Sequence, residues 1–167
     1  MSNEHNEWMP LNLSGKTAVV CGSTQGIGWA AASHLAGLGA RIVLLARNEQ
    51  RLKEAHAKLP GNIDHGFAVA DFSKPSNVQE AIKRIVEKEP IHILVNNTGG
   101  PAGGPIVDAE IDAFRNTFEQ HLVCNQILAQ AVLPGMKSAG YGRIINVIST
   151  SVKQPLPNLG VSNTIRG

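Results

Sequence analysis

The sequence predicts an α/β fold, a doubly wound parallel sheet with helices on both faces, and three observations carry that reading. Five short β-branched or aliphatic runs recur along the chain: TAVVC at 17–21, RIVLLA at 41–46, HGFAVA at 65–70, IHILVN at 91–96 and RIINVI at 143–148. Several are apolar on consecutive residues, the mark of strands buried on both faces of a parallel sheet. Amphipathic helical stretches separate them, and a strand-helix-strand repeat implies right-handed crossovers. The composition agrees. Of 167 residues, 43% are hydrophobic and only 4% aromatic, with 17 glycines, an aliphatic mixture suited to layered α/β packing in one compact domain.

Each element follows in order. Residues 1–12 read as a polar N-terminal extension, since MSNEHNEWMP carries no apolar signal core. Residues 13–167 read as the domain. After the first strand, Ile27, Ala31, Leu35 and Leu38 recur at helical spacing, and Gly39 follows as a C-terminal stop. The third helix is marked by Val78, Ile82, Ile85 and Val86, with Pro75 opening it and Pro90 closing it. Phe114, Phe118 and Leu122 begin a long helix towards Met136, and Pro101 to Pro105 is a loop.

Several function classes fall away on charge and composition. A net charge of +2 gives no electrostatic basis for nucleic-acid or membrane binding. Cys21 and Cys124 read as reduced buried thiols. The histidines show no metal-ligand spacing, so no metal is expected, and no Gly-x-x-x-x-Gly-Lys-Ser/Thr loop points to an NTPase. The Asn12-Leu13-Ser14 and Asn96-Asn97-Thr98 triplets match a glycosylation pattern only by chance, and the cytoplasm is the expected location.

The first strand runs into Gly22-Ser23-Thr24-Gln25-Gly26-Ile27-Gly28 and then a helix. Glycines at such a turn permit tight backbone geometry and close approach of a pyrophosphate, which the helix N-terminus favours. An ordinary tight turn would also use them, but this one opens the first β-α-β unit, where dinucleotide folds place it. The second strand ends in Ala46-Arg47. An acid there would bind the ribose 2′-hydroxyl, whereas arginine receives a 2′-phosphate, which favours NADP. Arg51, one helical turn on, is placed to reinforce it. The other reading of Arg47 is a solvated residue in the first turn of a helix.

With these motifs the chain resembles the short-chain dehydrogenases/reductases, from about Leu13 onward, and most generally their 3-oxoacyl-thioester reductase branch. The Gly22-x-x-x-Gly26-x-Gly28 spacing is that family's version of the turn. The resemblance implies a Rossmann-type fold with NADP held by Gly22, Ser23, Gly26, Ile27, Gly28, Arg47, Asp71, Phe72, Asn97 and Gly99. Asp71 matches the carboxylate that contacts the adenine amino group, and Asn96-Asn97-Thr98-Gly99 resembles an Asn-Asn-Ala-Gly signature. Asp71 also reads as a cap for the next helix, and Asn97 as a structural amide. The resemblance further implies hydride transfer between nicotinamide and a small-molecule carbonyl or alcohol, in a homo-oligomer, dimer or tetramer.

The catalytic motif departs from the family's Ser, Tyr, Lys and helix Asn. Counting along the fifth strand puts Ser149 at the serine position, with a slip of two to Ser151 also open. Ser162 stands for the tyrosine, Arg166 for the lysine and His121 for the asparagine. Tyr141, the sole tyrosine, precedes the fifth strand and lies at the wrong end of the sheet. A serine hydroxyl is far less acidic than a phenol, whose ordinary pKa is about 10, and arginine keeps its charge without deprotonating. His121, titrating ordinarily near 6.5, reads either as a general acid/base, directly or through Ser162 and a water, or as a helix residue whose ring is satisfied by a backbone carbonyl. Two functions follow: an NADP(H)-dependent oxidoreductase, or a non-catalytic NADP(H)-binding sensor or partner-stabilising subunit.

The dinucleotide fold has six strands in the order 3-2-1-4-5-6, and this sequence supplies five. The expected order is 3-2-1-4-5, truncated after the fifth strand and C-terminally incomplete, with the fifth strand an exposed apolar edge unless a longer chain or an oligomeric contact covers it.

Overall fold

The computed structural model describes residues 11–167, so most of the polar extension lies outside the described residues. Five parallel strands are hydrogen-bonded in the order β3-β2-β1-β4-β5. They are β1 (Thr17–Cys21), β2 (Arg41–Ala46), β3 (Gly66–Val69), β4 (Ile93–Asn96) and β5 (Arg143–Asn146), the last three one or two residues shorter at their ends than the apolar runs suggested. The order reverses between β1 and β4, the topological switch point of such sheets. The register sets Val20 beside Leu44 and Val95, and Asn96 beside Asn146, so the carboxyl ends of the strands come level.

Alternation along each strand feeds two cores. On one face Val19, Cys21, Val43, Leu45 and Leu94 pack with Val78, Ile82 and Ile85 of α3 (Pro75–Val86) and Cys124, Leu128, Val132 and Met136 of α5 (Cys124–Ser138). On the other face Ala18, Val20, Ile42, Leu44 and Val95 pack with α1 (Gly26–Gly37) and α2 (Glu49–His56). A shorter α4 (Ile111–Phe118) precedes α5, and α6 (Gly160–Arg166) packs against α4.

Two helices bury different residues from those the periodicity selected. In α1 the buried ridge is Gly28, Ala32 and Ala36, whereas Ile27 is exposed and Ala31, Leu35 and Leu38 are half-buried. Small residues on that ridge let the helix backbone approach the sheet closely, a geometry that hydrophobicity alone does not signal. Between α4 and α5 the helix widens into a π turn at Glu119–Val123. The extra residue in that turn shifts the inward face. Thr117, His121 and Cys124 point inward, while Phe118 and Leu122 remain exposed.

Among the described residues β5 pairs only with β4, and Ile144, Ile145 and Ile148 are exposed, as expected of an apolar edge. Tyr141 sits before β5, its ring 4.6 Å from Lys16 Nζ and 4.9 Å from the Arg143 guanidinium carbon. That is the amino end of the sheet. Among the described residues no helix is long and apolar enough to cross a membrane.

Candidate functional site

The carboxyl ends of β1, β2, β3 and β4 open into a cleft of about 480 Å³. Its walls include Gly22, Gly26 and Ile27 from the turn after β1, Arg47 and Arg51 after β2, Asp71 and Phe72 after β3, and Asn97 and Gly99 after β4. Residues from four separated stretches of sequence therefore meet at one place.

The turn is glycine-rich for reasons visible atom by atom. Gly22 has φ +57°, and a Cβ there would lie 2.5 Å from the Asn97 carbonyl oxygen and 2.8 Å from its side-chain nitrogen. At Gly28 a Cβ would run into the Gly22 carbonyl and come within 2.8 Å of Asn97 Nδ2. Gly26 has φ +56° with no atom within 4 Å of a Cβ, so it supplies a left-handed turn beside open space. Asn97 Nδ2 donates to the carbonyls of Cys21 (3.3 Å) and Gly22 (3.4 Å), tying β4 to the turn. Asn97 thus has a structural bond and a position on the cleft wall together.

Two expected cofactor residues face elsewhere. Ser23 is fully buried, and its Oγ accepts the Leu45 N–H at 3.1 Å, fixing the turn to β2 rather than facing the cleft. Gly28 lies on the buried ridge of α1, where its lack of a side chain lets the turn close. Thr24 and Gln25 line the cleft instead. In a loop that bends this sharply, side-chain direction is set by individual φ and ψ values, which the residue pattern does not report.

The far end of the cleft is cationic. Arg47 is exposed at its edge, and Asn48 caps α2 by accepting the Arg51 N–H at 2.9 Å. Arg51 in turn donates from Nη1 to Gln25 Oε1 at 3.5 Å. Asp71 does not cap α3, whose N-cap is Lys74 with Pro75 following. Its Oδ1 accepts from Ser73 N–H (3.0 Å) and Ser73 O–H (2.8 Å), which hold its carboxyl below the ordinary range, with Lys74 and Arg47 adding smaller contributions. Asn77 on α3 accepts the Asp71 N–H at 2.8 Å and so fixes the turn that aims it.

The catalytic candidates divide. His121, on the π turn, is buried, with Nε2 3.1 Å from the Gly99 carbonyl and Nδ1 3.1 Å from Thr98 Oγ1. A carbonyl only accepts, so Nε2 carries the proton and Nδ1 accepts from the threonine. Burial first, and the nearby Arg166 charge second, push its pKa below the ordinary value, against the raising effect of the Gly99 carbonyl. Arg166 reaches back from α6 so closely that a Cβ on Gly100 would meet its Nη1 at 2.6 Å. Ser149 and Ser151 prove to be one hydrogen-bonded pair, with 2.6 Å between hydroxyls, so the two serine alignments meet in space. Ser162 is buried on α6. Neither Ser149 nor Ser162 lines the cleft.

Cys21 and Cys124 are buried free thiols, and burial pushes their pKa up to about 12 and about 11.

Comparison with known proteins agrees with this architecture. The family description "short chain dehydrogenase" matches residues 16–162. Hydroxysteroid dehydrogenase-like protein 1 of Gallus gallus is 36% identical over 149 residues, 87% of this chain and 45% of that protein. Inactive hydroxysteroid dehydrogenase-like protein 1 of Pongo abelii is 32% identical over the same shares of each chain. The crystal structure of L-sorbose reductase from Gluconobacter frateurii, complexed with NADPH and L-sorbose, superposes with a TM-score of 0.87 at 32% identity, covering 95% of this chain and 61% of that one. The chain therefore spans about half the length of the curated relatives it matches. The chain belongs to the short-chain dehydrogenase family.

Proposed function

We propose that this member of the family is an NADP(H)-binding protein of oxidoreductase type, and that cofactor binding is the activity its residues retain best. The observation that carries the proposal is the cleft itself: glycine turn, Arg47 and Arg51 at one end, Asp71 at its side, and Asn97 bracing its floor. Gly22 and Gly26 leave room for the pyrophosphate, and the N-terminus of α1 offers it unpaired N–H groups. Arg47 and Arg51 take the 2′-phosphate, and Asp71, ionised at neutral pH, faces the adenine amino group. Phe72, Ile27 and Gly99 supply the remaining wall. NADP(H) is accordingly the proposed cofactor, and the complex of L-sorbose reductase with NADPH supports that choice by analogy.

The second reading is turnover: hydride exchanged between the cofactor and a carbonyl or alcohol carbon of a small molecule, 3-oxoacyl thioesters included. Bound NADP(H) would supply or take the hydride. The Ser149–Ser151 pair favours this reading, because Ser151 donating to Ser149 leaves the Ser149 hydroxyl hydrogen free for a substrate oxygen. Arg166 would hold ribose hydroxyls. Against it, the proton has no phenolic donor, Ser162 is a weak acid, and both ring nitrogens of His121 are already engaged. The geometry favours a structural His121, one that clamps the Thr98-Gly99 loop beside the cofactor.

One experiment separates the readings. Purified protein is titrated with NADPH by ligand fluorescence, then NADPH consumption is followed with ketones and 3-oxoacyl thioesters. Saturable binding without consumption is expected. Consumption above the no-protein rate would establish the second reading, and no binding would refute both.

A further inference from the structure

Gly100 and Arg166 meet where the loop after β4 closes one end of the cofactor cleft. Gly100 lies on the cleft wall, across β1 from the turn that carries Arg47. Its φ is not positive, so the backbone itself does not require glycine there. The neighbouring side chain does. A Cβ at Gly100 would lie 2.6 Å from Arg166 Nη1, far inside contact distance, yet 3.7 Å from the guanidinium carbon, an ordinary van der Waals separation. A lysine side chain ends at the atom where arginine has that carbon. A lysine in the place of Arg166 would therefore clear a methyl group on Gly100, and the wider arginine fork does not.

The same loop is fitted to a second replaced position. Thr98 Oγ1 and the Gly99 carbonyl hold the His121 ring, and Gly100 follows directly. Arg166 Nε is buried without a hydrogen-bond partner, and among the described residues no carboxylate pairs with the guanidinium. Packing against the loop, rather than a salt bridge, sets where the cation stands. We infer that Gly100 is a positioning residue, whose missing side chain seats the Arg166 fork against the loop after β4 and so holds its donors at the cofactor cleft. This rests on the reading of the cleft as an NADP(H) site in which Arg166 holds ribose hydroxyls. Glycine at one position and arginine at the other form one unit. Because Nη1 ends a flexible side chain, Gly100→Ala displaces the guanidinium and leaves the backbone where it is.

The test is a double-mutant cycle on the whole protein, with Gly100→Ala, Arg166→Lys and the two together. Three quantities are read: the urea midpoint, the Arg166 Nε–H signal by nitrogen-15 NMR without cofactor, and the NADPH dissociation constant by ligand fluorescence. In Gly100→Ala the midpoint should not fall and the Nε–H signal should be lost to fast exchange with water. NADPH should bind that variant about fivefold more weakly, the equivalent of one net hydrogen bond. Added to Arg166→Lys, the same change should weaken NADPH by less than about twofold, since residues that act through each other are not additive. Equal fivefold losses in both backgrounds would show that Gly100 acts on the cofactor without Arg166, and overturn the inference. An Nε–H signal as protected in Gly100→Ala as in the unaltered protein would overturn it too, as would a lowered urea midpoint, which would mean that the backbone gives way. Failure of the unaltered protein to bind NADPH would refute the cofactor reading instead, and the Nε–H signal would then decide alone whether Gly100 seats the arginine.

Discussion

Gly28→Ala and Gly37→Ala place the same methyl group on the same helix, and the structure predicts opposite outcomes. At Gly37 a Cβ meets no atom within 4 Å and the backbone is already helical. Alanine there gains helix propensity, up to about 1 kcal/mol relative to glycine. At Gly28 the same gain is available, but the new Cβ would overlap the Gly22 carbonyl oxygen and sit 2.8 Å from both Gly22 C and Asn97 Nδ2. Two of those atoms are backbone and the third is held by two hydrogen bonds, so nothing gives way cheaply. Overpacking of this kind costs about 1–3 kcal/mol. Subtracting the propensity gain leaves a net loss of about 0–2 kcal/mol, against a net gain in Gly37→Ala. The displaced groups belong to the cofactor turn, so NADPH affinity should fall at least about tenfold in Gly28→Ala, the equivalent of about 1.4 kcal/mol, and stay unchanged in Gly37→Ala. Urea unfolding measures the first quantity and ligand fluorescence the second. If Gly28→Ala gained stability as Gly37→Ala does and kept its NADPH affinity, the close approach of α1 to the turn would be refuted, and with it the reason for glycine at that position.

Further outcomes follow from buried titratable and polar groups. Burial, with Lys16 a smaller contributor, pushes the His92 pKa below its ordinary value, and its Nδ1 accepts the Thr17 N–H at 3.0 Å. A depressed histidine pKa means that the unfolded chain binds the proton first. The stabilisation is complete above the unfolded pKa of about 6.5, and declines as pH falls through that value towards the lower folded one. Urea unfolding from pH 8 to pH 5 should show that decline, and His92→Gln, which keeps an acceptor and does not titrate, should flatten it; an identical slope in the variant would contradict the assignment. Cys21 and Cys124, fully buried with raised pKa values, should resist iodoacetamide at pH 8 until urea unfolds the protein, whereas labelling at the native rate of a free thiol would show the core to be open. His121→Ala removes both the Thr98 and Gly99 contacts and should cost about 1–3 kcal/mol of stability while weakening NADPH. If turnover exists and survives that substitution, His121 has no part in proton transfer.

Much of this molecule was legible in the sequence, and the parts that were not share a physical cause. Period-two and unbroken apolar runs report burial of strands directly, so the five strands could be read from residues such as Val19, Leu44 and Val95, while their order followed from the resemblance to the dinucleotide fold. The glycine turn was readable because only glycine satisfies Gly22 and Gly26 at positive φ. Helix faces were harder. The ridge of α1 is Gly28, Ala32 and Ala36, residues chosen for how little space they fill, and a hydrophobicity pattern passes over them in favour of Ile27. The π turn at Glu119–Val123 broke the period that Phe114, Phe118 and Leu122 promised. Ser23 sits inside a motif whose glycines are correct, yet it turns inward to Leu45.

The central claim is that Arg47 makes this cleft select the 2′-phosphate of NADP(H), and the ratio of NADH to NADPH dissociation constants tests it most directly. Charge-assisted hydrogen bonds are worth roughly 1.5–3 kcal/mol, so the unaltered protein should bind NADPH at least about tenfold more tightly than NADH. In Arg47→Ala the NADPH constant should rise towards that of NADH, with the NADH constant nearly unchanged. Equal affinity for the two cofactors in the unaltered protein, or a preference that survives Arg47→Ala and Arg51→Ala together, would contradict the account.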